Sequence, residues 1–252
     1  MGDARLLDAT APHGDVALLG KPAVAIRGRL ARRDVGVRDA AVHRVFLDAR
    51  AVALRDLVDW EAEHKRISHH ANLFGEAEEV RIVGEGTDLR LSVAGRRADV
   101  DAGTGNMPGG EFFLCPAETS AQGTIAFTEF PAQWGGRELR GVRLRFSEGR
   151  VVDASAATEE DFLLETLDTD DGARRIGELG VGCNPGIDRY MRNVYFDEKM
   201  NGTVHVALGG GFEYLGGTNT SAIHWDIVKD LRSGGHIELD GKIVQKDGVW
   251  ID

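Results

Sequence analysis

Val80-Arg81-Ile82-Val83, a turn at Gly84 and Gly86, and then Thr87-Asp88-Leu89-Arg90-Leu91-Ser92-Val93 alternate apolar and polar residues with a period of two. Successive side chains of an extended strand point to opposite faces, so this alternation predicts half-buried strands joined by glycine turns. Further strands are expected over Glu111 to Leu114, Gly123 to Thr128, Val142 to Phe146 and Val151 to Ala154, with Ser147-Glu148-Gly149 as a turn. Upstream, Val52, Leu54, Leu57, Val58, Trp60, Ile67 and Leu73 recur at helical spacing and predict one amphipathic helix over Ala51 to Phe74, broken near Ser68. Thr158 to Leu167 reads as a second helix with Thr158 as N-cap, and Asp170 to Ile176 as a short third. Residues 1–50 show no sustained period. A shift in composition near residues 75–80 divides the chain into an accessory region with one helix, 1–78, and a β-rich domain, 79–252. The expected fold class is α+β, a β-rich mixed-sheet domain with flanking helices and a short N-terminal region.

The chain has 252 residues, enough for one sizeable core, and its 42% hydrophobic and 28% charged content is ordinary globular usage. The apolar runs are far shorter than a bilayer span, and the first residues lack the pattern of a secretory leader, which predicts a cytoplasmic location and no membrane partner. A net charge of −11 argues against nucleic acid, since counterion replacement needs a basic surface, and favours small, neutral or cationic partners. Cys115 and Cys183 have no paired spacing, so neither a disulfide framework nor a structural zinc site is expected.

In Thr203-Val204-His205-Val206-Ala207-Leu208, His205 lies on the face opposite the apolar Val204, Val206 and Leu208, so one face packs and the other presents an imidazole. In His224-Trp225-Asp226 the first and third side chains point the same way and can reach one ion together. Glu111, Glu178 and Glu198 sit among apolar or glycine residues. A buried unpaired carboxylate costs several kcal/mol, so such positions call for a metal or another cation. Imidazoles and carboxylates in combination suit divalent ions, and a bridging carboxylate can hold two of them about 3.5–4 Å apart. His64, His69 and His70 read as a solvated helix face. Gly209-Gly210-Gly211 lacks the lysine of a phosphate loop, and Ser221 lacks a nucleophile elbow, so Ser221 is expected to position the strand leading to His224.

The ordered series Asn106-Met107-Pro108-Gly109-Gly110-Glu111-Phe112-Phe113, Gly177-Glu178-Leu179, Asp197-Glu198, His205-Val206-Ala207-Leu208-Gly209 and Ser221-Ala222-Ile223-His224-Trp225-Asp226 resembles the M29 metallopeptidases, the aminopeptidase T and S type. The resemblance runs from about Glu79 to the C-terminus. It implies that Glu111, Glu178, Glu198, His205, His224 and Asp226 surround two divalent ions, zinc, cobalt or manganese. It also implies release of N-terminal residues from small peptides, one ion polarising the carbonyl, the other binding the free amine, and a metal-activated water attacking. Glu178 is the expected bridging ligand and proton carrier, with Glu198 as the other candidate. The resemblance allows a homodimer.

Two departures stand out. Family members carry a tyrosine seven residues after the first metal histidine, and the same count from His205 reaches Phe212. Tyr214 supplies a substitute catalytic hydroxyl if the glycine loop shifts register; otherwise it packs. The second departure is length, because residues 1–50 do not resemble the domain that precedes the catalytic half in the family. Three functions follow: a metal-dependent aminopeptidase, a catalytically weak metal-dependent peptide or amino-acid binding protein, or a structural domain whose acids are merely solvated.

Overall fold

The computed structural model describes residues 59–106 and 108–251, and the accessory-region reading of residues 1–58 lies outside these. The described part is rich in strand, with few helices, as expected for a β-rich α+β fold. Helix α1 (Trp60–Glu76) starts at Asp59, whose carboxylate accepts from the Ala62 N–H at 3.1 Å. It runs without a break at Ser68, because Ile67, Ala71 and Phe74 form one continuous buried stripe. His70 is buried on it and stacks on Trp250 at 3.8 Å, so this histidine is not on a solvated face.

Strands β1 (Glu79–Gly84), β2 (Thr87–Ser92), β3 (Asp99–Asp101), β4 (Glu111–Leu114), β5 (Gln122–Phe127), β6 (Ala132–Trp134), β7 (Arg137–Leu139), β8 (Val142–Ser147) and β9 (Arg150–Ser155) follow. Next come α2 (Glu160–Leu167), β10 (Ile176–Gly182), the single turn α3 (Val194–Asp197), β11 (Thr203–Gly209), β12 (His224–Asp230), β13 (His236–Leu239), β14 (Lys242–Lys246) and β15 (Val249–Trp250). One antiparallel sheet has the order β15-β14-β13-β1-β2-β5-β8-β9, a second the order β12-β11-β10-β4-β3, and β6-β7 form a separate hairpin. Residues of both large sheets and of α1 share one hydrophobic core.

Two helix expectations are corrected. Thr158 does not cap α2; its hydroxyl accepts from the Arg140 N–H, and the residue before the helix is Glu159 in a left-handed conformation. Asp170 to Ile176 is no helix among the described residues, because the Asp170 carboxylate takes the Gly172 and Ala173 N–H groups into a turn and Ile176 opens β10.

Candidate functional site

The site grows from the five-stranded sheet. Across its ladder Glu178 pairs with Ala207 and Ala207 with Asp226, Gly180 pairs with His205 and with Phe113, Gly182 pairs with Glu111, and Gly209 pairs with His224. Cross-strand partners share a face, so Glu111, Glu178, His205, His224 and Asp226 all project from the same side. The opposite side carries Phe112, Leu114, Leu179, Val181, Val204, Val206, Leu208, Trp225 and Ile227, all in the core. Glycine and alanine between the polar residues keep the polar side open. A Cβ at Gly180 would lie 2.1 Å from Cε1 and Nε2 of His205, so the missing side chain is what admits the imidazole.

Glu198 reaches the site from the end of α3. Its neighbour Asp197 fixes this turn by accepting from the Met191 and Asn193 N–H groups at 2.6 and 2.8 Å. The Ser221 hydroxyl donates to Asp170 at 2.7 Å, which ties the segment entering β12 to the turn before β10.

Both histidines are oriented from behind. Nδ1–H of His205 donates to the Glu198 carbonyl at 3.1 Å, and Nδ1–H of His224 donates to the Gly210 carbonyl at 2.8 Å. Each Nε2 is thereby turned toward the acids, the arrangement that prepares an imidazole for a metal. Glu178 lies between them, Oε1 3.2 Å from His205 Nε2 and Oε2 3.2 Å from His224 Nε2. Ligand atoms of Glu178, His224 and Asp226 lie within 4.8 Å of one another, close enough for one ion. Two buried carboxylate oxygens, Glu111 Oε2 and Asp226 Oδ1, have no hydrogen-bond partner. Their nearest imidazole nitrogens stand at 3.7 Å and 3.5 Å. Such oxygens are costly unless something else binds them, so the donor set fits a divalent cation.

Electrostatics agree. Burial disfavours the charged form of His205, yet its hydrogen bond to Glu178 and the fields of Glu111, Glu178 and Asp226 raise its pKa to about 10. His224 is raised to about 11 against burial by Asp226 and Glu178. Burial alone would raise the pKa of Glu178, but the hydrogen bonds and charges of His205 and His224 outweigh it and hold this carboxyl far below the usual range. Burial and then the neighbouring Glu111 push Glu198 up to about 7.

A cavity of about 310 Å³ opens over these groups, lined by acids and by the apolar faces of Phe113, Val194, Tyr195 and Phe212. Phe212 lies 5.5 Å from the His224 ring. Tyr214 lines a neighbouring depression with Asn106 and Glu111, and its hydroxyl donates to Asp99 at 2.8 Å.

The sequence reading missed Lys199. This lysine is fully buried, with Nζ 2.7 Å from Glu111 Oε1 and also bonded to Glu198 Oε1. Its place next to Glu198, between that acid and the apolar Met200, was the available signal.

The family model for thermophilic metalloprotease (M29) matches residues 40–250. The chain belongs to the M29 family. M29 relatives include aminopeptidase AmpS of Bacillus subtilis, 28% identical over 222 residues, with 75% of this chain and 52% of the relative covered. The chain spans about half the length of that protein. Wild-type AmpT from Thermus thermophilus shares the fold, with TM-score 0.68 at 24% identity over 78% of this chain and 56% of its own. So does 2,5-dihydroxypyridine dioxygenase from Pseudomonas putida KT2440, with TM-score 0.66 at 17% identity over 80% of this chain and 62% of its own. Among the described residues of this M29 chain, no helix is long and apolar enough to cross a membrane.

Proposed function

We propose that this chain carries the catalytic centre of a metal-dependent aminopeptidase that removes N-terminal residues from small peptides. The observation that carries the reading is the Glu178, His224 and Asp226 cluster, with an Asp226 oxygen that makes no hydrogen bond and an imidazole anchored from behind. Family membership supports a divalent metal, and the aminopeptidase relatives support a peptide substrate. The ligand set is Glu111, Glu178, Glu198, His205, His224 and Asp226. In the two-ion arrangement that the resemblance implies, these six residues would surround both ions and Glu178 would be the ligand they share.

A divalent ion held there supplies Lewis-acid polarisation of a scissile carbonyl and lowers the pKa of water toward neutrality. The chain's own groups do the rest. Glu178, fixed between two imidazoles within the cluster, is the proton carrier. Glu198 is the second candidate, because a carboxyl with a pKa of about 7 is matched to proton transfer near neutral pH. The acids of the cavity suit the ammonium of a free peptide N-terminus, and Phe113, Val194, Tyr195 and Phe212 form an apolar wall for the residue that follows it. Tyr214 can serve as an oxyanion donor only if its hydroxyl leaves Asp99.

Fold alone does not choose the reaction, since a dioxygenase has a similar fold, so the reading rests on the site. The test is hydrolysis of aminoacyl p-nitroanilides by the chelator-stripped chain with zinc, cobalt or manganese added back, and N-acetylated substrates as control. Metal-dependent turnover of the free-amine substrates alone is expected. Phe212, which has no hydroxyl at the cavity wall, favours a second reading, a catalytically weak metal-dependent peptide or amino-acid binding protein. A folded, metal-loaded chain without turnover would establish that second reading in place of the first.

A further inference from the structure

The four acids of the site fall into two groups. Toward the histidines, Glu178 bridges two imidazoles, while Glu111 Oε2 and Asp226 Oδ1 make no hydrogen bond and stand 3.7 and 3.5 Å from the nearer imidazole nitrogens. A second contact joins Glu111 Oε1 and Glu198 Oε1, both bound by one ammonium, Nζ of Lys199. That side chain is 0% exposed. A buried ammonium has no water to return to, so it stays where carboxylates neutralise it, and expelling it leaves a charge without a partner.

We propose that Lys199 is a built-in cation that holds Glu111 and Glu198 in place of a second divalent ion, so that the chain binds one ion, on the Glu178, His224 and Asp226 side. This rests on the metal reading given above and narrows it. An ion placed on Glu111 and Glu198 would share oxygens with the ammonium and be repelled by it at contact distance. At Glu178, His224 and Asp226 the neighbouring cations are imidazoles, which become ligands themselves once the Nε2 proton leaves, and Oε2 of Glu111 faces that side, 3.7 Å from His205 Nε2. Glu111 thus connects the two halves, one oxygen on the lysine and the other free for the metal centre. One ion and one ammonium would then do together what two ions do in the arrangement the resemblance implies.

Stoichiometry decides the matter without any activity measurement. The full 252-residue chain, stripped with chelator, is titrated with Mn²⁺ at neutral pH by calorimetry, and bound manganese is counted by mass spectrometry after gel filtration. The same is done for Lys199→Met and Lys199→Gln, with folding checked by circular dichroism. One tight equivalent is expected for the unaltered chain, with the electron paramagnetic resonance of an isolated ion, and two in a folded variant, whose Glu111 and Glu198 have lost their cation. Two tight equivalents in the unaltered chain, or one in a folded variant, would overturn the inference while leaving the metal reading intact. No tight binding by the unaltered chain would remove both.

Discussion

Gly180 lies opposite His205 across the β10 and β11 ladder, and the imidazole fills the space that any side chain at 180 would need. The strand Ile176-Gly177-Glu178-Leu179-Gly180-Val181-Gly182 is thus a device for presenting one acid on a face otherwise cleared for its neighbours. Gly180→Ala should displace His205 from Glu178, because the new methyl would sit 2.1 Å from Nε2 and His205 is buried on all sides. We expect a loss of about 1–3 kcal/mol in stability, the usual range for overpacking, together with weaker metal binding. Chemical denaturation and a metal titration measure both, and an unchanged affinity would show that His205 takes no part.

Glu178 touches both imidazoles, so its removal affects the site from two sides. Glu178→Ala should abolish turnover and weaken divalent-metal affinity by more than about 100-fold, a larger effect than the loss of an outer-shell partner. Glu178→Gln keeps the shape and loses the charge. Retention of full affinity in both variants would refute the assignment.

Much of this was legible in the sequence, for a physical reason. Period-two alternation is a direct image of strand geometry, so His205, or His224 with Asp226, could be assigned to a strand face without coordinates. The neighbour relations across strands were not legible, since register depends on turns and on the shift between Ile176 and Glu178. Lysine is ordinarily a surface residue, and only the tertiary structure reveals that the Lys199 ammonium is sealed between Glu111 and Glu198. Thr158 has the residue type and place of a helix cap, but its hydroxyl is taken by the Arg140 N–H, a contact between distant residues that local sequence does not show.

Metal binding should release protons. Without an ion, His205 and His224 titrate at about 10 and about 11 instead of the ordinary 6.5, so both are charged at pH 7. Coordination requires neutral imidazoles, and the proton on each Nε2 must leave. Affinity should therefore rise with pH from 6 to 9, and calorimetric enthalpies should differ between Tris and phosphate by close to one buffer ionisation per coordinated histidine. The same raised values mean that these charges stabilise the metal-free fold fully below pH 6.5, and that this contribution is lost as pH climbs through about 10. Buffer-independent enthalpies would count against histidine ligation.

Phe212 gives a gain-of-function test. Phe212→Tyr adds a hydroxyl to the cavity wall beside His224, where the resemblance calls for one. A single oxyanion donor is worth about 100–1,000-fold in rate, so kcat should rise by a measurable part of that factor with little change in KM. Tyr214→Phe should leave kcat unchanged if the Tyr214 hydroxyl stays on Asp99; a fall comparable to the Phe212→Tyr gain would assign the oxyanion role to Tyr214 instead.

The most direct measurement is anomalous diffraction from crystals of the manganese-loaded chain, recorded so that the metal's scattering locates it without reference to any assumed ligand. The account predicts a strong peak about 2.0–2.3 Å from Glu178, His224 and Asp226. A chain that binds manganese in solution but shows its anomalous peak elsewhere, or no peak at these residues, would contradict it.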